Sequence, residues 1–300
     1  MIAETRSAAA PAQEAGSTEE AELTRKNIGT PAVRLSGARL ALGEWVLWDG
    51  LDLDVRPGEF VAVLGPNGSG KTTLVNVLLG RRALTAGEVS VGGHPPGGRA
   101  ARIGYIPQQR ALEPDLPLRA RDLVALGLDG HRFGLTRLGS VRSRRDRKAR
   151  VDAALAAVDA TRYADQPVGR LSGGEQQRLR VAQALVGDPE LLLCDEPLLS
   201  LDLANQGIVS RLIDRRRAEA GTAVLFVTHE INPILPMVDR VLYLVDGRFR
   251  VGTPEQVMTS ETLSELYRTQ IDVLKIRDRL VVVGTEGPID TCCHPFEEPA

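Results

Sequence analysis

Three hundred residues with 43% apolar and 25% charged side chains suffice for one large domain or two modest ones around a sizeable core. A net charge of −2 argues against a protein that grips nucleic acid nonspecifically, which needs a basic field. Three cysteines make no disulfide framework and suit a reducing cytoplasm, and no stretch approaches the roughly 20 apolar residues that span a bilayer, so any membrane role runs through a partner.

Residues 1–30 are rich in Ala, Glu, Ser and Thr, lack the apolar segment of a secretory signal, and read as a disordered tail. "VRLSGARLAL" and "LWDGLDLDV" alternate apolar with polar residues, which predicts antiparallel strands. "EFVAVLG" reads as a buried strand, and "KTTLVNVLLG" as a helix stopped at Gly80. "GEVSVGG" and "RIGYIPQ" are short strands. From about residue 109 to 185 the texture turns helical, with "RARDLVALGL", "RDRKARVDAALAAV" and "LSGGEQQRLRVAQALV". "LLLCDEP" and "AVLFVTHE" are continuous apolar runs of the kind found in parallel strands covered on both faces. "DRVLYLVDGRFRVG" predicts a hairpin turning at Asp246-Gly247, "PEQVMTSETLSELYRT" a helix, and "IDVLKIRDRLVVVG" two strands joined at Arg277-Asp278. Residues 285–300 read as a second disordered tail.

"GPNGSGKT" fits G-x-x-x-x-G-K-[ST] between a buried strand and a helix, the setting of a phosphate-binding loop. Gly65, Gly68 and Gly70 let the backbone of Gly65, Pro66, Asn67, Gly68, Ser69 and Gly70 wrap phosphates with its N–H groups. Lys71 reaches the β- and γ-phosphates, Thr72 supplies a hydroxyl to Mg2+, and Thr73 completes the run. "LLLCDEP" delivers Asp195 and Glu196 to a strand end, where open α/β sheets bind ligands. Asp195 suits Mg2+, and Glu196 suits the general base that polarises water. His229, ending another buried strand, is placed to donate to the γ-phosphate, and Gln108 to touch Mg2+ or the water. Cys194 fits as a small buried hydrophobe. A second anion cradle follows at "LSGGEQQR", where Ser172 is the N-cap of an amphipathic helix led by Gly173 and Gly174.

"GPNGSGKTT", "YIPQ", "LSGGEQQR", "LLLCDEP", "LLSLD" and "VTHE" stand in the order found in ATP-binding-cassette (ABC) ATPases, which this chain resembles from about Val33 to Gly252. The resemblance implies a P-loop NTPase (RecA-like) α/β core with an antiparallel β subdomain and an inserted α-helical subdomain. It places the ATPase domain at 31–252, with the helical subdomain at about 109–185 and a C-terminal helix and β-hairpin at 253–284. It implies an ATPase using ATP and Mg2+, and a head-to-tail homodimer in which Ser172, Gly173 and Gly174 of one copy close over nucleotide held by the other. Asp202, in "SLD", would cross that interface. Such cassettes carry an aromatic that stacks on adenine; here the matching position is Leu42. Trp45 stands nearby for stacking, with core or interface packing as its other use.

One cassette without a membrane span resembles importer subunits at the cytoplasmic face of the cell membrane. Two permease copies and, indirectly, an extracytoplasmic solute-binding protein are the implied partners, and no nucleic acid. The stretch after Gln108, "ALEPDLPLRARDLVALGL", would receive the permease. "LPLRARDLVALGL" together with "VTHEINPILPMVDRVLYLVDGRFRVGTPEQVMTSETLSELY" resembles the zinc/manganese importer branch, with siderophore-iron importers the runner-up. A soluble cassette of DNA repair or translation is the rival from another class. Cys292, Cys293 and His294 form a "CCH" with soft-metal ligand chemistry, or simply the end of a disordered tail. The basic run Arg142 to Arg150 meets either solvent or an anionic surface. His94 and His131 sit in Gly-rich turns and gain no role.

Overall fold

Alternation along each strand decides which half of the molecule its side chains serve. In the computed structural model, which describes residues 30–97, 102–108, 113, 115–129 and 141–284, the chain builds two sheets, a hairpin and a set of helices. Strands β1 (Val33–Leu42), β2 (Trp45–Val55) and β3 (Phe60–Leu64) lead into helix α1 (Lys71–Leu78), then β4 (Ala86–Val91) and β5 (Ile103–Ile106). Helices α2 (Ala120–Asp129), α3 (Val141–Ala157) and α4 (Gly173–Leu185) follow, then β6 (Leu191–Asp195), α5 (Leu203–Ala220) and β7 (Ala223–Val227). The remainder is β8 (Arg240–Val245), β9 (Arg248–Gly252), α6 (Pro254–Val257), α7 (Ser260–Tyr267), β10 (Ile271–Ile276) and β11 (Arg279–Gly284).

The central sheet runs β5-β6-β7-β3-β8-β9, parallel except for β9. Every residue of β3, β6 and β7 is buried, as their unbroken apolar runs require of strands covered on both sides. Phe60, Ala62, Leu192, Cys194, Val224, Phe226 and Val241 face one core, shared with α2, α3, α4 and α5. Val61, Val63, Leu191, Leu193, Leu225, Val227 and Leu242 face the other, shared with α1 and the antiparallel sheet β2-β1-β4. Phe60 and Phe226 stack across adjacent strands at 5.6 Å between ring centroids. The architecture is therefore a mixed α/β fold with a parallel core, an antiparallel subdomain and an inserted helical segment.

Two local expectations change. Helix α4 is not amphipathic in place: Gln176, Gln177, Arg178, Leu179, Arg180, Val181, Ala182 and Ala184 are all buried, because helices and the sheet surround it. Burial of its polar side chains was invisible to a periodicity argument. The helix expected over "PEQVMTSETLSELYRT" breaks at Met258-Thr259, since the Thr259 hydroxyl accepts from the Thr262 N–H at 3.2 Å and caps a new helix, α7. Both hairpins turn as expected, with Val245 paired to Arg248 and Ile276 to Arg279. The β10-β11 hairpin is pinned to the loop after β7 by Asn232, whose side chain donates to the Leu280 carbonyl at 2.9 Å and accepts its N–H at 2.8 Å.

Candidate active site

The C-terminal ends of β3, β6 and β7 converge because parallel strands all discharge their loops on one edge. From β3 the chain enters the Gly-rich loop. Gly65 holds φ +141°, and a Cβ there would run into the Leu244 carbonyl of the neighbouring strand, so only glycine fits. Gly70 holds φ +96° and begins α1 without a side-chain cap, so the first N–H groups of that helix remain available to an anion.

Lys71 is buried and donates to the Gly65 and Pro66 carbonyls at 2.7 and 2.8 Å, leaving one of its three N–H donors for a ligand. Burial holds its pKa below the ordinary lysine value, while the Glu196 and Asp195 carboxylates pull it back up. A phosphate arriving here meets a buried ammonium with a donor to spare. The Ser69 hydroxyl is buried in the same loop with no hydrogen bond among the described residues. Both facts fit an anionic ligand.

Thr72 donates its hydroxyl to Asp195 Oδ1 at 3.1 Å. Asp195 is 2% exposed, and burial pushes its carboxyl above the ordinary value against the pull of Thr72 and Lys71. A hydroxyl and a buried carboxylate side by side form an oxygen donor pair for a hard divalent cation.

Glu196 follows with φ +48°, a left-handed backbone that costs a non-glycine residue on the order of 1 kcal/mol and turns its side chain out of the strand line. Its Oε2 lies 2.9 Å from His229 Nδ1. A carboxylate only accepts, so Nδ1 carries the proton of this bond, and Nε2 is the ring nitrogen left to face another partner. His229 as found is thus engaged with Glu196 through Nδ1.

A cavity of about 320 Å3 opens beside the loop, lined by Leu42, Leu47, Asn67, Gly68, Gly70, Lys71, Thr72, Thr73, Gln108 and Glu196. Gln108 is exposed at its rim. Trp45, 72% exposed and paired with Leu42 across the β1-β2 turn, is not among the lining residues; Leu42 and Leu47 form that wall instead. Leu47, and Trp48 whose indole nitrogen lies 3.1 Å from where a Gly70 Cβ would stand, carried no site signal in the sequence beyond strand alternation.

The second cradle stands apart from this cavity. Ser172 caps α4 and Glu175 returns the bond, with Glu175 Oε2 accepting from the Ser172 N–H at 3.0 Å and hydroxyl at 2.9 Å. Burial raises the Glu175 carboxyl, but the two Ser172 bonds, with Arg162 and Arg178, hold it below the ordinary value. A Cβ on Gly174 would overlap the Asn205 side chain of α5. Asn205 in turn donates from its backbone N–H and side-chain amide to Asp202 at 2.8 and 2.9 Å. Asp202 is therefore the N-cap of α5 within its own chain, and the Asn205 bonds lower its pKa. Among the described residues His94 pairs with the Val91 backbone, while His131, Cys292, Cys293 and His294 lie outside them.

Over residues 48–199 the chain matches the ABC transporter family. The chain belongs to the ABC transporter ATPase family. It is 41% identical over 226 residues to the aliphatic sulfonates import ATP-binding protein SsuB 1 of Nocardia farcinica, covering 74% of this chain and 81% of that one. The zinc import ATP-binding protein ZnuC of Yersinia enterocolitica is 37% identical over 227 residues, covering 76% and 81%. An inward-facing ABC transporter assigned to the metal-chelate type superposes with a TM-score of 0.70 at 26% identity, over 85% of this chain and 98% of that one. A dimeric cassette in a post-hydrolysis state bound to ADP and Pi superposes with a TM-score of 0.62 at 30% identity, over 74% and 98%. This ABC ATPase binds and hydrolyses ATP. None of its described helices is long and apolar enough to cross a membrane.

Proposed function

We propose that this ABC ATPase powers the import of a divalent metal ion, zinc or manganese, as one of two identical subunits bound peripherally to a separate membrane permease. The supporting observation for catalysis is Glu196, bonded to His229, lining one cavity with Lys71 and Thr72 of the loop. Lys71 and the loop N–H groups bind the phosphates, and Glu196 holds the water in line and takes its proton. Thr72 and Asp195 would hold Mg2+, with Gln108 at the rim, and the ion would supply neutralisation of phosphate charge. His229, released from Glu196 as the water enters, donates to the γ-phosphate. Trp45, exposed and paired with Leu42, is the nearby aromatic for stacking on adenine, which Leu42 cannot do.

Separation of the two cradles supports the dimer. A capped, glycine-led helix N-terminus at Ser172, Gly173 and Gly174 that does not line its own chain's cavity suits nucleotide held by a second copy. ATP then joins two copies and hydrolysis releases them, which is a two-state motion a permease can follow. We assign residues 31–252 to the ATPase domain and 253–284 to a C-terminal appendage.

The cargo reading is supported by similarity to ZnuC and to the metal-chelate type transporter. Similarity to SsuB 1 supports a second reading, an organic anion. The experiment is uptake in a deletion strain carrying either the wild-type chain or Glu196→Gln. Zinc or manganese uptake should return with the wild type only, while Glu196→Gln keeps ATP binding and loses at least ~100-fold in hydrolysis. Recovery of sulfonate uptake alone would overturn the metal assignment, and normal turnover by Glu196→Gln would remove it as the base.

A further inference from the structure

Helix α3 changes character half-way along. Val151 and Leu155 are buried, and with Val158 just beyond the helix they anchor its C-terminal half. From Arg144 to Arg150 every residue is exposed. Helical spacing puts Arg144, Arg147 and Lys148 on the stripe that continues as Val151 and Leu155. The stripe that packs the second half therefore continues into the first as cations with no core beneath them.

That end is unfavourable by its own local chemistry. Residues 142–150 hold six basic residues and one acid, Asp146, in a chain whose net charge is −2. No acidic residue stands in the first turn, so cations crowd the positive end of the helix dipole. Arg144 and Lys148, Arg144 and Arg147, and Arg145 and Lys148 are like-charge neighbours at i,i+4 or i,i+3. At that spacing Asp146 stands opposite Arg142 and Arg150, and Asp152, already paired with Arg121 at 3.4 Å, opposite Lys148, which leaves the cations in excess. The side chains of Arg144, Arg145 and Lys148 form no ion pair with another described residue. Folded sequences are usually locally consistent, and a local conflict of this size points to an external counter-charge.

We propose that the basic end of α3 rests on acidic phospholipid headgroups at the membrane surface. Arg144, Arg145, Lys148 and Arg150, four exposed cations within two turns, supply the attraction, each contributing on the order of 1 kcal/mol near such a surface. With charge on all sides of this end and no apolar face, the helix adsorbs without inserting, and the contact weakens with salt. The inference stands on exposure and charge, independently of cargo and permease.

The test uses the full chain and vesicles of phosphatidylcholine with or without phosphatidylglycerol, read by flotation. The wild type should float with the acidic vesicles only, and less so as salt rises. Arg144→Gln/Arg145→Gln/Lys148→Gln should weaken flotation on the order of 100-fold while Tm and basal ATP hydrolysis are kept. Arg144→Lys/Arg145→Lys, which preserves charge, should float like the wild type. Equal flotation with neutral vesicles, undiminished flotation of the glutamine variant, or tighter binding to a DNA duplex than to acidic vesicles at the same salt would each overturn the proposal.

Discussion

Asp195 is where function and stability oppose each other most directly. Its carboxyl is buried and its pKa lies above the ordinary 3.8, so the folded chain holds the proton more tightly than the unfolded one. As pH rises from 3.8 through the folded value the unfolded chain loses its proton first, and stability falls across that window and stays lower at neutral pH. Asp195→Asn removes the buried charge and keeps an acceptor for Thr72. It should raise Tm at neutral pH by a few degrees, on the order of 1 kcal/mol, with the gain vanishing at pH below the ordinary carboxylate value. Thermal unfolding without nucleotide across pH checks this. A lower Tm at neutral pH would show that the carboxylate's attraction to Lys71 outweighs its burial. Glu196 shows the same opposition in its backbone, since a left-handed φ at a strand end is tolerated where a side chain must point into a site.

At the scale of elements, the N-termini of α4 and α5 are joined through one amide. Gly174 touches Asn205, and Asn205 holds Asp202. Gly174→Ala forces the Asn205 side chain away and loosens the α5 cap, which should cost about 1–3 kcal/mol. In an Asn205→Ala background the added methyl finds room, and the same change should cost less than about 0.5 kcal/mol. The double-mutant cycle in urea measures this coupling. Purely additive effects would mean that the two helix ends are independent.

At the scale of the molecule, the expected head-to-tail dimer makes a prediction that a self-sufficient monomer does not. A Lys71→Ala chain lacks the phosphate grip, and a Ser172→Arg chain has a blocked second cradle. Each alone should be inactive. Mixed, half the dimers pair unlike chains, and each such dimer holds one intact composite site, so activity should return to about a quarter of the wild type. A mixture that stays inactive would show that each chain completes its own site.

The sequence alone determined the cradle, because glycines, a lysine and a threonine at fixed spacing between an apolar run and a helix have few other uses. It also determined the parallel strands and both hairpin turns, since continuous apolar runs and Asp-Gly or Arg-Asp pairs act locally. What tertiary structure decided is which distant residues meet. Thr72 and Asp195 are 123 positions apart, and His229 reaches Glu196 across 33. The lining by Leu47, the exposure of Trp45, the burial of polar residues along α4 and the capping of α5 by Asp202 likewise came only with the fold. The reason is physical: local propensity fixes how a segment runs, whereas burial and contact depend on what the rest of the chain packs against it.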